Sequence, residues 1–468
     1  MSDIAFQPIR TVAAQLRAGR LSASELTRHM LDRIARIDAR LHGYRAVGAE
    51  MALDAAARAD AELAAGRDRG PLHGIPLAVK DLCDTKGMPT AAGMSFLRDN
   101  VPSGDATVVA RLKAAGAVIL GKLHMTEGAT LHHHPAYPIP VNPWDAALWP
   151  GASSSGCGVA VAAGLCFGAI GSDTGGSIRY PSACNGLTGL KPTWGLVSRH
   201  GVYDLAPSFD CLGPMARNAA DAALILDAVA GFDPLDPTSL PGKVESCSAT
   251  LDQRVGAHGL RIGYDLSEAG RLSPETAAAF DEALRMLAEI GADIVDIRFP
   301  DISAFRACKR FLIGPEQAAA HASLYEKHAG EYGSWLAKAI EAARRMDPLE
   351  VARAGLERRR LSAAIARLFE AVDVMVLPVF RDGTPPDETR ASPDFLRLGP
   401  TSDFTTPVNA AGNPALTLQC GEDGAGAPLA LQLVGPHRSE PLLLALAHQY
   451  QKATDWHVRH PQGCTEAA

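Results

Sequence analysis

The sequence predicts an α/β protein with a central mixed, largely parallel β-sheet covered by helices on both faces. Three observations carry that reading. From residue 73 onward, short apolar runs alternate with amphipathic helical stretches in the order strand, helix, strand. The 468 residues are 47% hydrophobic and 21% charged, which is ordinary globular usage with enough apolar material for a large core. The 44 glycines and 32 prolines make up about 16% of the chain, against roughly 12% in average usage, and much of the glycine falls in one stretch.

Taken in order, the N-terminal part reads as helix. Ser22 and Glu25 have capping-box spacing, and Leu26, Met30, Ile34, Ile37 and Leu41 recur at helical intervals, predicting an amphipathic helix on the outside of a larger body. Ile75–Val79 is an apolar run ending in Lys80 and fits a buried strand. A helix over 106–115 follows, with Asp105 as N-cap and Gly116 as its stop, before a second buried strand at Ala117–Leu120. Residues 232–259 contain proline and serine and read as a surface connection. They lead to a strand at Leu260–Tyr264, a helix over Pro274–Ile290 and a strand at Ala292–Ile297. Residues 303–370, rich in Ala, Arg and Glu, read mostly as helix, and Val372–Leu377 as strand. The pair Ala415–Gln419 and Ala430–Val434 closes the pattern before a helix from Pro441. No internal repeat interrupts this order.

Charge and cysteine usage narrow the function. The net charge is −7, unfavourable for phosphate backbones or anionic lipids, so neither nucleic acid nor membrane is an expected partner. The nine cysteines are odd in number, scattered and without a CxxC pair, so they read as reduced core residues rather than a zinc or redox site. The N-terminus lacks the apolar stretch of a secretory signal, which predicts a cytoplasmic protein. Residues 146–172 carry no charge, yet Pro150, Ser153, Ser154, Ser155 and six glycines suit a lipid-facing helix poorly.

The chemistry concentrates between Gly151 and Gly201, where twelve glycines bring backbone close to something. A dinucleotide fingerprint fails because Val161 stands where the third glycine belongs, and no stretch supplies a Walker loop. Two serine clusters remain, Gly151-Ala-Ser153-Ser154-Ser155-Gly156 and Asp173-Thr174-Gly175-Gly176-Ser177-Ile-Arg179. A serine becomes a nucleophile through a base, and successive N–H groups in a Gly-rich turn make an anion-stabilising nest. The same residues also populate ordinary turns and caps. Histidines 124, 132, 133, 134 and 200 are candidate bases; the run 132–134 lacks the spaced ligands of a metal site. Lys80 is another candidate, unless it simply reaches solvent beside Asp81 and Asp84.

Gly74-Ile-Pro-Leu-Ala-Val-Lys80-Asp, Gly121-Lys-Leu-His-Met-Thr-Glu127, Asn142-Pro-Trp, Gly151-Ala-Ser-Ser, Gly171-Ser-Asp-Thr-Gly-Gly-Ser177-Ile-Arg179-Tyr-Pro181 and Gly189-Leu-Lys-Pro-Thr193 together resemble the amidase signature family. Thr406-Pro-Val-Asn-Ala-Ala-Gly412-Asn-Pro and Pro428-Leu-Ala-Leu-Gln432-Leu-Val-Gly435 look like the segments that complete its sheet. The resemblance is dense over 71–217 and 404–450 and thin over 232–400.

The resemblance implies a Ser-cisSer-Lys triad: Ser177 attacks the carbonyl, Ser153 on a cis peptide relays its proton, and Lys80 is the base. It further implies an oxyanion hole from the N–H groups of Thr174, Gly175, Gly176 and Ser177, support from Ser154 and Asp173, and substrate contacts at Gly128, Ala129 and Ser153. No metal and no cofactor is implied. A lysine base must lose about 3 pKa units, or about 4 kcal/mol, from its reference of about 10.4, and burial supplies shifts of roughly 3–5 units. Ala152 and Ser155 replace glycines usual in the family, and Leu123-His124 replaces Thr-Asn. A register shifted by one within Ser153-Ser154-Ser155 is therefore the main alternative, and a role for Ser155 stays open.

The expected organisation is a single amidase domain over 1–468. It comprises a helical segment at 1–70, a signature core at 71–230, a variable insertion with a helical substrate-pocket region at 232–400, and completing strands and helix at 401–468. The expected activity is amide C–N cleavage, with aryl or alkyl amides, carbamates and esters as the substrate range. The partner is a small-molecule amide, and a homodimer is allowed for. Pocket walls are expected from Glu127–Pro140, with His132–His134 and Tyr137 near the rim, and from 303–370. Two alternatives stand. One is the glutaminase-type subunit of a tRNA-dependent amidotransferase, which usually carries a Tyr-Tyr run followed by Ser-Asn-Leu-Ala-Arg-Tyr, whereas 311–325 here has no arginine. The other is a catalytically silent binding protein on the same scaffold.

Overall fold

Eleven strands frame the computed structural model, which describes residues 4–265, 267, 271–387 and 403–464. They are β1 (Tyr44–Val47), β2 (Pro76–Lys80), β3 (Val118–Leu123), β4 (Gly168–Asp173), β5 (Thr188–Lys191), β6 (Cys211–Ala216), β7 (Arg261–Tyr264), β8 (Asp293–Asp296), β9 (Val374–Pro378), β10 (Ala415–Glu422) and β11 (Pro428–Val434). One sheet holds them all in the order β1-β3-β2-β4-β6-β5-β10-β11-β9-β7-β8, flanked by helices. It is mixed, and its parallel pairs form two blocks: β2 with β3 and β4, and β7 with β8 and β9. The run from β4 through β6, β5, β10 and β11 to β9 is antiparallel, as is β1 on β3, so antiparallel pairs outnumber parallel ones. Connection length explains the division. Helices Thr107–Ala114 and Pro274–Glu289 supply the crossovers that parallel neighbours need, whereas β10 and β11 are joined by a tight turn after Glu422.

The block around β2 is the driest part of the sheet. Every residue of β2, β3 and β4 is buried, and so is every residue from Trp149 to Thr174, a run that takes in most of the uncharged stretch. Helix Ser155–Ala162 packs there on backbone: a Cβ at Gly156 would lie 2.4 Å from the Gly43 oxygen and 2.6 Å from His124 N. All nine cysteines are free thiols, eight of them buried, which fits small core residues.

Helix Ala23–Leu41 starts as its sequence requires. The Glu25 N–H donates to Ser22 Oγ at 3.0 Å and the Ser22 N–H donates back to Glu25 Oε2 at 2.9 Å, while Leu26, Met30, Ile34 and Leu41 are buried. Two local expectations change. The N-terminal seventy residues are not all helix, because His42 caps the helix in the left-handed region (φ 54) and sends Tyr44–Val47 antiparallel along β3. Asp105 does not cap the next helix. Its carboxylate accepts from the Lys86 N–H at 2.8 Å and pairs with Lys113 at 2.8 Å, leaving Ala106 at the cap. The connection 232–259 is at the surface, with Phe232, Leu235 and Val255 exposed, although Cys247 and Leu251 anchor it in the core. Ser22→Ala is expected to lower the unfolding free energy by about 1 kcal/mol in urea titration; an unchanged midpoint would show that packing alone sets this helix start.

Candidate active site

The two serine clusters and the strand-end lysine converge where β2 and β4 lie side by side. Lys80 closes β2, and the parallel pairing of Val79 with Ile170 carries its side chain towards the C-terminal end of β4. There Lys80 Nζ lies 2.6 Å from Ser153 Oγ and 2.8 Å from Ser172 Oγ, with the side chain fully buried. Asp81 does not take it: that carboxylate pairs with Arg45 at 2.7 Å and Lys122 at 3.6 Å. Among the described residues no carboxylate stands within ion-pair distance of Lys80. Burial pushes its pKa down to about 8, partly offset by Cys157, Cys83, Asp173 and Asp210.

The turn carrying Ser153 begins with a cis peptide between Ala152 and Ser153. The Ser154 N–H donates to the Ser177 carbonyl at 3.3 Å, which docks this turn on the second cluster. Ser154 Oγ accepts from the Ser172 N–H at 3.3 Å and lies 3.2 Å from the Ser172 carbonyl. Ser177 is half-buried, unlike Ser153 and Ser154, and among the described residues its hydroxyl has no hydrogen-bond partner.

Asp173, the last residue of β4, organises the loop that follows. Its fully buried carboxylate accepts from the Gly176 N–H at 2.7 Å, the Ile178 N–H at 3.2 Å, Asn409 Nδ2 at 2.9 Å and Arg179, through Nε and Nη2, at 3.0 Å each. Burial alone would raise this carboxyl, but the Arg179 charge and hydrogen bonds, with Lys191 and Asn409, hold it well below the usual carboxylate range. Arg179 also donates to Gln432 Oε1 and the Thr405 carbonyl, at 3.0 Å each. This arrangement corrects one expectation. The Gly176 N–H is committed to Asp173, so the four-donor nest reduces to the N–H groups of Thr174, Gly175 and Ser177, which have no partner among the described residues.

Gly128 and Ala129 form a left-handed turn (φ 55 and 59) beside this loop, and Ala129 lines a small cavity with Ser172, Thr174, Tyr203 and Asp210. The histidines lie elsewhere. His200 is exposed; His124 is buried and pushed down to about 3 by burial, so it is neutral. His133 Nε2 lies 2.9 Å from Ser155 Oγ, His134 Nε2 lies 3.0 Å from the Glu331 carbonyl, and His132 packs on Trp335. These contacts tie the 127–137 loop to the serine turn and to the helical segment. Ser155, whose role the sequence leaves open, is thus the first residue of its helix and a partner of His133. Ser172, Asn409 and Gln432 are not singled out by the sequence, although each falls inside a quoted motif; a motif match does not say which member faces the lysine. Among the described residues no group of three or more His, Cys, Asp or Glu could hold a metal, and no helix is long and apolar enough to cross a membrane.

Comparison with known proteins agrees with this geometry. The family model described as Amidase matches residues 25–444. The chain is 43% identical over 458 residues to the Mycobacterium tuberculosis protein named "Putative amidase AmiD", covering 96% of this chain and 94% of that one. It is 37% identical over 486 residues to one of the subunits of the glutamyl-tRNA(Gln) amidotransferase from a Cyanothece strain, covering 97% and 99%. It superposes on the native peptide amidase of Stenotrophomonas maltophilia with a TM-score of 0.81 at 32% identity, covering 95% and 96%. The Asp173–Arg179 pair predicts a stability effect: Asp173→Ala leaves a buried guanidinium unpaired and is expected to cost about 3–5 kcal/mol in urea unfolding. A loss under about 1 kcal/mol would show that Asn409, Gln432 and the Thr405 carbonyl suffice for Arg179.

Proposed function

The chain belongs to the amidase family, and from that premise we propose that it hydrolyses amides through an acyl-enzyme on Ser177, with Ser153 as proton relay and Lys80 as base. Neutral Lys80 takes the Ser153 hydroxyl proton while Ser153 Oγ takes that of Ser177. Ser177 Oγ then bonds to the carbonyl carbon. The oxygen that becomes negative meets the N–H groups of Thr174, Gly175 and Ser177, donors held in place before the charge develops. Collapse breaks the C–N bond, and the proton returns through Ser153 to the leaving nitrogen. Water then enters by the same relay in reverse roles and releases the acid. The observation that carries this reading is a fully buried lysine whose Nζ lies 2.6 Å from a serine hydroxyl and has no carboxylate partner among the described residues.

A depressed pKa is what the scheme requires. With a pKa of about 8, roughly a tenth of Lys80 is neutral at pH 7, against well under one per cent for an ordinary lysine. The likeness to the amidotransferase component favours a second reading, glutamine hydrolysis for a partner enzyme, so glutamine belongs in the substrate panel. Against it, the helical stretch 311–325 lacks the arginine expected of such proteins. Simple primary amides, anilides and carbamates complete the panel, with acid and amine release as readout.

Two outcomes are expected. Ser177→Ala removes turnover by about 10³-fold or more, and Lys80→Ala loses most of it. In the wild type, kcat/KM rises with pH because only neutral Lys80 can accept a proton. It climbs about tenfold per unit well below pH 8 and levels off above it. An acid optimum, or a profile with no limb near pH 8, would overturn Lys80 as the base.

A further inference from the structure

A surface pocket of about 260 Å³ opens at the C-terminal end of helix Thr406–Ala411, and Trp194, Leu240, Arg358, Ala411, His437 and Arg438 are among the residues that line it. No member of the proposed triad and no carboxylate lines it. Half-buried Arg358 lies over the Phe209 ring at 4.2 Å and donates through Nε to the Ala410 carbonyl at 2.8 Å, through Nη1 to Ser208 Oγ at 2.7 Å and through Nη2 to the Ser208 carbonyl at 2.6 Å. Three bonds leave two of its five N–H groups without a partner among the described residues. Burial pushes its pKa below the ordinary arginine value, the mark of a cation short of a counter-charge. Arg438 is held in the left-handed region (φ 66), where its N–H donates to Thr193 Oγ1 at 2.8 Å, and its guanidinium meets only the Pro241 carbonyl. Two carboxylates approach the lining and both are engaged elsewhere: Glu316 accepts from the Ser208 N–H at 2.9 Å and hydroxyl at 2.6 Å, and Glu440 from the Thr193 N–H at 2.6 Å. Neither comes within ion-pair distance of Arg358 or Arg438.

Arg358 ties together two segments that both hold the 173–177 loop. On one side Asn409, the neighbour of Ala410, donates to the Asp173 carbonyl at 3.0 Å, and Thr405 Oγ1 donates to the Gly175 carbonyl at 2.6 Å. On the other, Ser208 and Phe209 lead to Asp210, whose carboxylate accepts from Thr174 Oγ1 at 2.5 Å. Whatever settles Arg358 between Ser208 and Ala410 therefore settles both supports of the loop that carries the Thr174 and Gly175 N–H groups.

We propose that this pocket is an effector site for a small organic carboxylate with an apolar body, and that its occupancy steadies the 173–177 loop and raises turnover. The binding half stands on the pocket alone; the effect on turnover rests on the amidase reading above. The chemistry of the walls selects the ligand. Two guanidiniums without counter-charges suit an oxyanion, and Trp194 and Leu240 supply apolar surface for its body. Glu316 and Glu440 close behind the lining favour a monoanion over a phosphate dianion. The helix-terminal carbonyls of Ala410 and Ala411, which would repel an anion, are covered by Arg358 Nε and by His437 Nε2 at 2.9 Å. The volume lies below the roughly 300–1,000 Å³ of ordinary ligand pockets, so the occupant has the size of an aromatic acid.

Calorimetry of the full chain with phenylacetate, 2-phenylethanol and inorganic phosphate tests the pocket. Phenylacetate is expected to bind with a Kd on the order of 1 mM, and the alcohol and phosphate at least about tenfold more weakly. Arg358→Gln and Arg438→Gln each weaken phenylacetate about tenfold; Arg438 is exposed, so its variant carries the test if Arg358→Gln does not fold. No binding up to about 10 mM, equal binding of the alcohol or of phosphate, or an unchanged affinity in Arg438→Gln overturns the site. The coupling is read on kcat at saturating substrate, because an acid bound at Ser177 raises KM alone. Phenylacetate raises the wild-type kcat about twofold or more, and Arg438→Gln needs about tenfold more of it for the same rise. An unchanged or lowered kcat overturns the coupling and leaves the amidase reading intact. Failure of the wild type to cleave any member of the amide panel overturns that reading and the coupling with it, while calorimetry still decides the pocket.

Discussion

An ammonium group buried without a counter-charge is the constraint around which the rest of the molecule is arranged. Holding Lys80 near pKa 8 instead of its ordinary value disfavours the charged form by about 3 kcal/mol. That is a sizeable part of the net stability of an ordinary domain. The sheet tolerates it because the surroundings are dry and dense: β2, β3 and β4 are wholly buried, and the unbroken buried run 149–174 carries no charge before Asp173. Any solvent path or nearby unpaired carboxylate would raise the Lys80 pKa back towards the ordinary lysine value. The uncharged stretch that resembles a membrane segment in composition is thus the dry wall that pulls the Lys80 pKa down towards neutrality.

Comparison among the buried lysines sharpens the point. Lys80, Lys122 and Lys191 are all fully buried, so burial alone does not mark a base. Lys122 has Asp81 at 3.6 Å, the Cys83 carbonyl and the Thr90 hydroxyl at 2.6 Å, and Lys191 donates to the Pro192 carbonyl at 2.9 Å with the Cys211 thiol at 3.8 Å. The Asp81 carboxylate and the two carbonyls have no proton to give, and they stabilise an ammonium. Lys80 alone of the three meets two serine hydroxyls, groups that can accept from an ammonium or donate to an amine. With hydroxyls and no carboxylate beside it, Lys80 keeps its hydrogen bonds in both protonation states, as the proposed relay requires.

Much of this was legible in the sequence, for identifiable reasons. The capping box at Ser22 and Glu25, the strands around 75–80 and 117–120 and the hairpin at 415–434 are local patterns, and each forms where its residues place it. Strand β6 is harder to read because Pro214 interrupts an otherwise apolar run, and proline ordinarily argues against a central strand. The structure accommodates it because β5 pairs only with Ala216 and Met215, stopping short of Pro214. The Asp105 cap failed through competition: an ammonium and a neighbouring backbone N–H were better partners than the helix start. Glycine density located the loop after β4, but no sequence pattern shows that Gly176 donates its N–H to Asp173. Likewise, no local pattern announces that His321 and Leu336 face Gly128, since that contact joins segments about two hundred residues apart.

The same long-range logic makes the 173–179 loop and the C-terminal strands one unit. Arg179 closes the loop on Asp173, yet three of its other partners, Thr405, Asn409 and Gln432, lie 226 to 253 residues later in the chain. Tyr180 and Gly175 meet Thr405 as well. Without those segments the Arg179 charge would be buried with one carboxylate and unfilled donors, an arrangement that costs stability rather than adding it. The loop geometry is therefore a property of the completed sheet. Strands β2 and β4 bring Lys80 and the loop together, but β11 and the 405–409 segment hold the loop in the shape that leaves the Thr174, Gly175 and Ser177 N–H groups without a partner among the described residues.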